Sequence, residues 1–494
     1  MDIKPVFHYL LSVLLACLLT SCMVGPNYVR PKVVVSPKFK EDKTPAKPGK
    51  NWTVIKPKDL QERGPWWTVF HDPVLNQLEE QLNRYNQDIA QAEANYRQSL
   101  AMVDQARAGL FPTLTGSASV FRQKQGGGTT SFISTSGGDT TTNVATSNTT
   151  LARSPTTTIY SSILYATWEP DIWGMVRRSI EANVATAQSN AALVAVTRLS
   201  AQSALAQYYF ELRTIDLNQS LLEQTVNANK KLLQLTRHQY ASGVATRADI
   251  VQAQTQVETA ESQAINNGIL RGQYEHAIAV LMGRPPAYLS LHRKQYHFNL
   301  PHIPVEVPSL WLERRPDIAQ AERLVQNTSA LIGVAIATFY PNISISGSAS
   351  ASARSLQKLI HTPALGWSTG LQLAQTFFDG GLRRATVRAA KETYIAQVAS
   401  YRQTVLTAFQ DVEDNLLALR LLSEQSKVQR QAAAHAQEAL RLMTNQYKAG
   451  TVPFSNVITA QITAYTAQKT ANDVTGLQMT AAVGLIKALG GGWM

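Results

Sequence analysis

Between residues 343 and 353 the chain alternates strictly: Ser344, Ser346, Ser348, Ser350 and Ser352 are separated by isoleucine, glycine or alanine. A period of two puts every serine on one face of a strand and every apolar or tiny residue on the other. Three further segments carry a similar pattern. They are 113–121, with Leu114, Ala118 and Val120 on one side; 159–168; and 367–377, with Trp367, Leu371, Leu373 and Phe377 sharing a face. Each has about 9 to 11 residues, the length a tilted strand needs to cross a bilayer. A soluble sheet packed on a helix is the alternative reading of the same pattern.

A different pattern fills 175–242 and 382–449, two stretches of equal length without a single Gly or Pro and rich in Ala, Gln, Leu, Glu and Arg. Good helix formers without breakers predict continuous helices, each roughly 100 Å long at 1.5 Å per residue. Val184, Ala187, Ala191 and Val194, and then Leu205, Tyr209 and Leu212, recur at helical spacing and predict a packing seam. An ordinary coiled-coil stalk is compatible with these helices taken alone.

The two patterns occur twice in the same order. Residues 88–93 and 317–322 are identical (DIAQAE), and each copy is followed 23 residues later by an aromatic-proline pair, Phe111-Pro112 and Tyr340-Pro341. Next comes Gly-Ser-Ala-Ser, at 116–119 and 347–350. An aspartate with an arginine pair follows, Asp171 with Arg177-Arg178 and Asp379 with Arg383-Arg384. A Tyr-x-x-Gly turn closes each long helix at 240–243 and 447–450. Five such pairs in one order indicate an internal duplication with two strands per copy. Four strands cannot close a barrel, and an open edge in lipid leaves unpaired backbone groups costing several kcal/mol each. The missing strands are expected from other copies of the chain: two chains supply eight and three supply twelve, and the pattern does not choose.

Composition refines this picture at three places. Residues 122–158 hold 22 Gly, Ser or Thr among 37 and predict an exposed loop between the first two strands. The only cysteines are Cys17 and Cys22, so nothing downstream can form a disulfide or a thiolate metal site. Lys4, an apolar stretch over 6–19 and Leu19-Thr20-Ser21-Cys22 read as an export signal ending in a lipobox. On this reading Cys22 is the acyl acceptor and anchors the chain to a membrane at about 0.8 kcal/mol per buried methylene. The net charge of +12 comes from scattered Lys and Arg, with charged residues only 16% of the chain, which argues against a nucleic-acid surface. No nucleophile elbow, metal-spaced His pair or phosphate-binding glycine loop is present, so no enzyme activity, metal or cofactor is expected.

Several stretches together resemble the outer-membrane efflux proteins, in their TolC-like, OprM-type and NodT-type lipoprotein branch. They are residues 22–31 (CMVGPNYVRP), 168–174 (WEPDIWG), 312–318 (LERRPDI), 378–381 (FDGG) and 488–493 (ALGGGW). The resemblance spans essentially the whole chain. It implies a mixed α and β membrane protein: a homotrimer whose four strands per chain build one twelve-stranded outer-membrane β-barrel, continued by a long periplasmic α-helical barrel. It further implies a passive exit channel for drugs or other small molecules, partnered by a periplasmic adaptor (membrane fusion) protein and an inner-membrane RND-type transporter. A metal-ion exporter and a lipid-anchored stalk that never spans the membrane are the alternatives.

In these terms, residues 1–21 are the signal and 22–73 a lipidated N-terminal and equatorial segment. The first repeat is 74–282 and includes helices 175–242 and 246–282. An equatorial linker covers 283–312. The second repeat is 313–470, with strands near 342–353 and 367–377, helix 382–449 and the start of a helix over 453–489, and the tail is 471–494. Asp171 and Asp379 would cap the long helices. Gly243 and Gly450 would form tip turns for adaptor docking. The aperture positions are Tyr447, Ser455, Asn456 and Thr459. None of these four is acidic, a departure from the family's aspartate rings, whereas the first repeat carries Asp249 near Arg247.

Overall fold

The computed structural model describes residues 23–34, 39–41, 52–53, 64–124, 156–294, 296–301, 314–359 and 364–491. The signal segment, Cys22, most of the Gly/Ser/Thr-rich loop and part of the 283–312 linker lie outside the described residues.

In chain order, short strands β1 (Val33–Val34) and β2 (Trp52–Thr53) pair with each other. They are followed by helices α1 (Pro73–Tyr85) and α2 (Gln87–Ala108), strands β3 (Thr113–Lys124) and β4 (Thr156–Trp168), and helices α3 (Met175–Ala241) and α4 (Arg247–Leu281). The second half runs α5 (Pro316–Ala337), β5 (Asn342–Ala353), β6 (Leu365–Ala374), α6 (Leu382–Lys448) and α7 (Phe454–Ala488). Lengths match across the halves: 22 residues in α2 and α5, 67 in α3 and α6, and 35 in α4 and α7. No helix among the described residues is long and apolar enough to cross a membrane.

The described residues divide into two compact units. The first comprises residues up to 25, 104–180 and 332–388, and its centre is an antiparallel sheet in the order β3-β4-β5-β6. Pairing between β3 and β4 continues to Lys124 opposite Thr156, so both ends of the expected loop belong to strands. Backbone pairing needs no apolar side chain, and the β-branched Thr156, Thr157 and Thr158 suit a strand. At the other end β6 stops at Ala374, opposite Asn342. Phe377, expected within this strand, lies beyond it and is 94% exposed. The next ladder position would face Pro341, which has no N–H to give.

The second unit, 26–103, 181–331 and 389–494, is helical. Its largest core gathers Trp66, Phe70, Leu75, Leu82, Phe210 and Ile486. Helix α1 starts where the Asp72 carboxylate accepts from the N–H groups of Val74 and Leu75, at 2.8 and 3.2 Å, with Pro73 in the first position. It buries Leu75, Leu78, Glu79 and Leu82, one helical face. Glu79 is fully buried, and neither of its oxygens has a hydrogen-bond partner among the described residues. Burial pushes its pKa well above the ordinary carboxyl range. On α3, Leu205, Tyr209 and Leu212 are buried as the seam requires, but among Val184, Ala187, Ala191 and Val194 only Ala187 is fully buried. Ala182, Ala185, Ser189 and Ala192 are buried there instead. Where most faces carry small side chains, periodicity does not single out the buried one.

Candidate functional site

Residues directly opposed in an antiparallel ladder point to the same face, so the register assigns both faces of the sheet. One face carries Leu114, Leu164, Trp168, Ile345, Trp367 and Leu371. The other carries Thr115, Ser119, Ser161, Ser346, Ser348 and Ser368. Cross-strand hydroxyl pairs sit on the second face: Ser119 and Ser161 at 2.7 Å, and Ser348 and Ser368 at 2.9 Å. Phe121, Ile159, Ile163 and Tyr165 interrupt it. The outer edges of β3 and β6 pair with no strand among the described residues. The apolar face is widely exposed, with Trp367 at 81% and Leu371 at 75%. A sheet this apolar on one face and open at both edges is unfinished as a soluble object.

At the two strand-to-helix junctions an aspartate caps the long helix. Asp171 accepts from Val176 N and Arg177 N, both at 2.9 Å, and from Arg177 Nε at 3.0 Å. Asp379 repeats this with Gly381 N at 2.9 Å, Arg383 N at 3.2 Å and Arg383 Nε at 2.5 Å. The Arg383 guanidinium, followed by the Gly381 N–H, holds the Asp379 carboxyl down at about 2. A negative charge at this end also suits the helix dipole.

The Tyr-x-x-Gly turns end α3 and α6 identically. Gly243 (φ 73°) donates to Tyr240 O at 2.9 Å, and Val244 N donates to Gln239 O at 2.8 Å. Gly450 (φ 75°) donates to Tyr447 O and Thr451 N to Gln446 O, both at 3.0 Å. This double bond closes a helix only through a left-handed residue, which glycine adopts without penalty. Both glycines are exposed. Beyond the first turn Asp249 is engaged in a capping box: its Oδ2 accepts from Thr246 N and Oγ1, each at 2.8 Å, while Asp249 N donates to Thr246 Oγ1 at 3.2 Å. Beyond the second turn Ser455, Asn456 and Thr459 are exposed on the first turns of α7. Tyr447 is different. It is buried with Leu233, Val257, Phe454 and Val457, its hydroxyl 3.3 Å from Thr236 Oγ1 and its ring 5.3 Å from that of Phe454.

The N-terminal segment carries contacts that sequence reasoning did not assign. In the first unit Val24 N donates to Trp173 O at 3.1 Å, and the buried Arg178 donates to the carbonyls of Val24 and Gly25, each at 3.2 Å. A Cβ on Gly25 would come within 2.5 Å of Gly333 Cα, so this approach requires glycine. In the second unit Glu322, its side chain fully buried, accepts from Tyr28 Oη at 2.5 Å and Arg30 Nε at 3.0 Å, with Arg323 Nη1 3.1 Å from its other oxygen. Burial first, and the Glu322 bond second, push the Tyr28 hydroxyl far above its ordinary value, and burial raises Tyr401 to about 12. Val33 packs into the cluster around Val325 and Tyr401, and Phe39 against Val412 and Leu489. The motif containing Tyr28 and Arg30 is visible in the sequence, but its partner lies 292 residues away or more.

A family model described as outer membrane efflux protein matches residues 78–284 and 307–491. The chain is 29% identical over 480 residues to the probable efflux pump outer membrane protein TtgC of Pseudomonas putida, covering 97% of this chain and 94% of that one. It is 30% identical over 456 residues to nodulation protein T of Rhizobium leguminosarum bv. viciae, covering 92% and 87%. Among solved structures it superposes on the outer-membrane channel OprN with a TM-score of 0.79 at 26% identity, covering 96% of this chain and all of that one.

Proposed function

Because the chain belongs to the outer membrane efflux protein family, we propose that it is the outer-membrane exit channel of a tripartite efflux system, a passive conduit for drugs and other small molecules that catalyses no reaction. The observation that carries this reading is the sheet with opposite faces and two edges unpaired among the described residues. In lipid those edges must be closed by further strands. Two copies would give eight strands, a barrel whose interior is just filled by side chains, whereas three give twelve and leave room for water. The trimer follows. Its apolar face meets lipid and its hydroxyl face lines the bore.

The long helices form the periplasmic part, and the exposed turns at Gly243 and Gly450 receive the adaptor, which links the channel to an inner-membrane RND-type transporter. Ser455, Asn456 and Thr459, exposed at the start of α7, line the aperture, with Asp249 near it. Tyr447 serves that aperture from within the core, holding α6 against α3 and α7. Acylation at Cys22 adds a lipid anchor. The test is unheated electrophoresis of the purified protein followed by planar-bilayer recording. A detergent-resistant trimer that conducts is expected; a stable monomer, or a trimer that never conducts, would overturn the channel and leave a stalk.

A further inference from the structure

We propose that the end of the sheet remote from the long helices is a binding surface for the phosphate-bearing headgroups of outer-leaflet lipid, with Arg122 and Lys124 as its central contacts. This rests on the channel reading above, in which the apolar face meets lipid, and names the headgroup chemistry met at one margin of that face.

The strand register carries the argument. Arg122 opposes Thr158 and Lys124 opposes Thr156, two and four residues beyond Val120, so both cations stand on the face that carries Leu114, Leu164 and Trp367. Both are exposed. A cation on a lipid-facing strand is costly at the bilayer midplane and tolerated near the interfaces. Leu114 is the first apolar residue of this face on β3. At about 3.3 Å per residue and a tilt of about 40°, Arg122 stands about 20 Å above it along the membrane normal and Lys124 about 25 Å. The apolar band of such sheets is about 25 Å tall. The two side chains therefore reach its far margin, where hydrocarbon gives way to headgroups.

Two more cations stand at the same end. Ala353 and Val120 both oppose Tyr160, two strand spacings or about 10 Å apart; Arg354 and Arg122 follow them by one and two residues. Lys358 lies in the short turn between β5 and β6, and it and Arg354 are exposed. The described acids of this unit, Asp104, Glu169, Asp171 and Asp379, all lie at the opposite end, beside the helices. Charge is thus sorted along the strands, and no described carboxylate neutralises the remote four. An apolar flank below and open cations above match an amphiphile whose acyl chains run along the strands and whose head carries phosphate. Arginine meets such a head with a planar fork of N–H donors and lysine with a point charge.

The full-length trimer is purified, delipidated in detergent and titrated with lipid A, a glycolipid bearing two phosphates, with its monophosphoryl form and with phosphatidylcholine; bound lipid is counted by native mass spectrometry. Retention is expected in that order. Arg122→Gln combined with Lys124→Gln should weaken diphosphoryl binding by about tenfold while the unheated trimer band and the conductance persist. Arg122→Lys with Lys124→Arg should stay near native, and Arg384→Gln with Arg388→Gln, exposed at the helix end, should change nothing. Arg354→Gln with Lys358→Gln, expected to weaken binding severalfold, serves should the first pair fail to assemble. Equal retention of phosphatidylcholine, or an equal loss in the Arg384 and Arg388 variant, would overturn the surface, and displacement of the lipid by millimolar inorganic phosphate would reduce it to a free-anion site. A trimer that conducts yet treats the three lipids alike sinks the headgroup surface alone; a chain that neither assembles nor conducts sinks the channel reading with it.

Discussion

Replacing Arg30 by Met tests whether the N-terminal segment is held by charge or by apolar contact. The Glu322 carboxylate is fully buried, and two of its three polar neighbours, Tyr28 and Arg30, come from that segment. Removing one partner of a buried ion pair costs about 3–5 kcal/mol because the other charge stays behind. Here the lower figure applies, since the Arg30 side chain keeps 22% exposure and Arg323 still faces Glu322. About 3 kcal/mol is roughly a hundredfold in the opening equilibrium of the segment. Tyr28→Phe deletes a single charge-assisted bond, worth about 1.5–3 kcal/mol. Hydrogen exchange of amides 24–34 in the detergent-solubilised protein reads the opening directly. Arg30→Met should speed exchange there by about two orders of magnitude while α3 and α6 stay protected, and the pair Arg30→Met with Glu322→Met should recover most of the loss. Unchanged exchange in Arg30→Met, or a double variant as loose as the single one, would refute the reasoning. Alkali adds a check with a definite sign. The Tyr28 hydroxyl is raised in the folded chain, so its contribution is complete below pH of about 10 and fades as pH climbs beyond; Tyr28→Phe should lack that fading.

Further predictions concern other positions. Asp379 is depressed to about 2 from 3.8, so its cap is complete above that ordinary value and lost as pH falls toward 2; amide exchange at 381–385 should rise over that window in the native chain and not in Asp379→Asn. Glu79 is raised above 4.5, so the stability it permits is complete below that pH and erodes as pH rises; Glu79→Met should raise the thermal midpoint at pH 7 and flatten its pH dependence, and a lowered midpoint would show a hidden partner for the carboxylate. Gly450→Val forces a β-branched residue to φ 75° at a cost of about 1–2 kcal/mol and should weaken adaptor capture in pull-downs, with Gly450→Asn closer to native because Asn tolerates that conformation. Combined Ser455→Ala and Thr459→Ala should raise bilayer conductance and sensitivity to bulky antibiotics; unchanged uptake would remove these residues from the aperture.

The legible parts of this chain are those where a local rule suffices. Serine at every second position assigns β5 without ambiguity, and the absence of Gly and Pro carries α3 and α6 over 67 residues each. Local rules failed where a distant partner decides. Glu93 and Glu322 close identical hexamers, yet Glu93 pairs near the surface with Arg198 at 3.1 Å while Glu322 is buried under Tyr28 and Arg30. Only the next residue differs, Ala94 after one and Arg323 after the other, and neither points to the distant Tyr28 and Arg30. Tyr447 stands one turn from an exposed glycine and reads as a lining residue, but the neighbouring helices enclose it. The end of β6 is set by Pro341, just before the opposing strand begins, rather than by its own run of apolar residues.

On the proposed reading, in which the hydroxyl face lines a bore, the row of serines on β5 has a consequence for what can travel along it. A hydroxyl rotates to present either its proton or its lone pairs, so a passing ammonium and a passing carboxylate find equally ready, equally weak company. A surface of this kind has no preferred sign and holds nothing for long. Any bias between cationic and anionic solutes in this protein would therefore have to arise from a different stretch of the path.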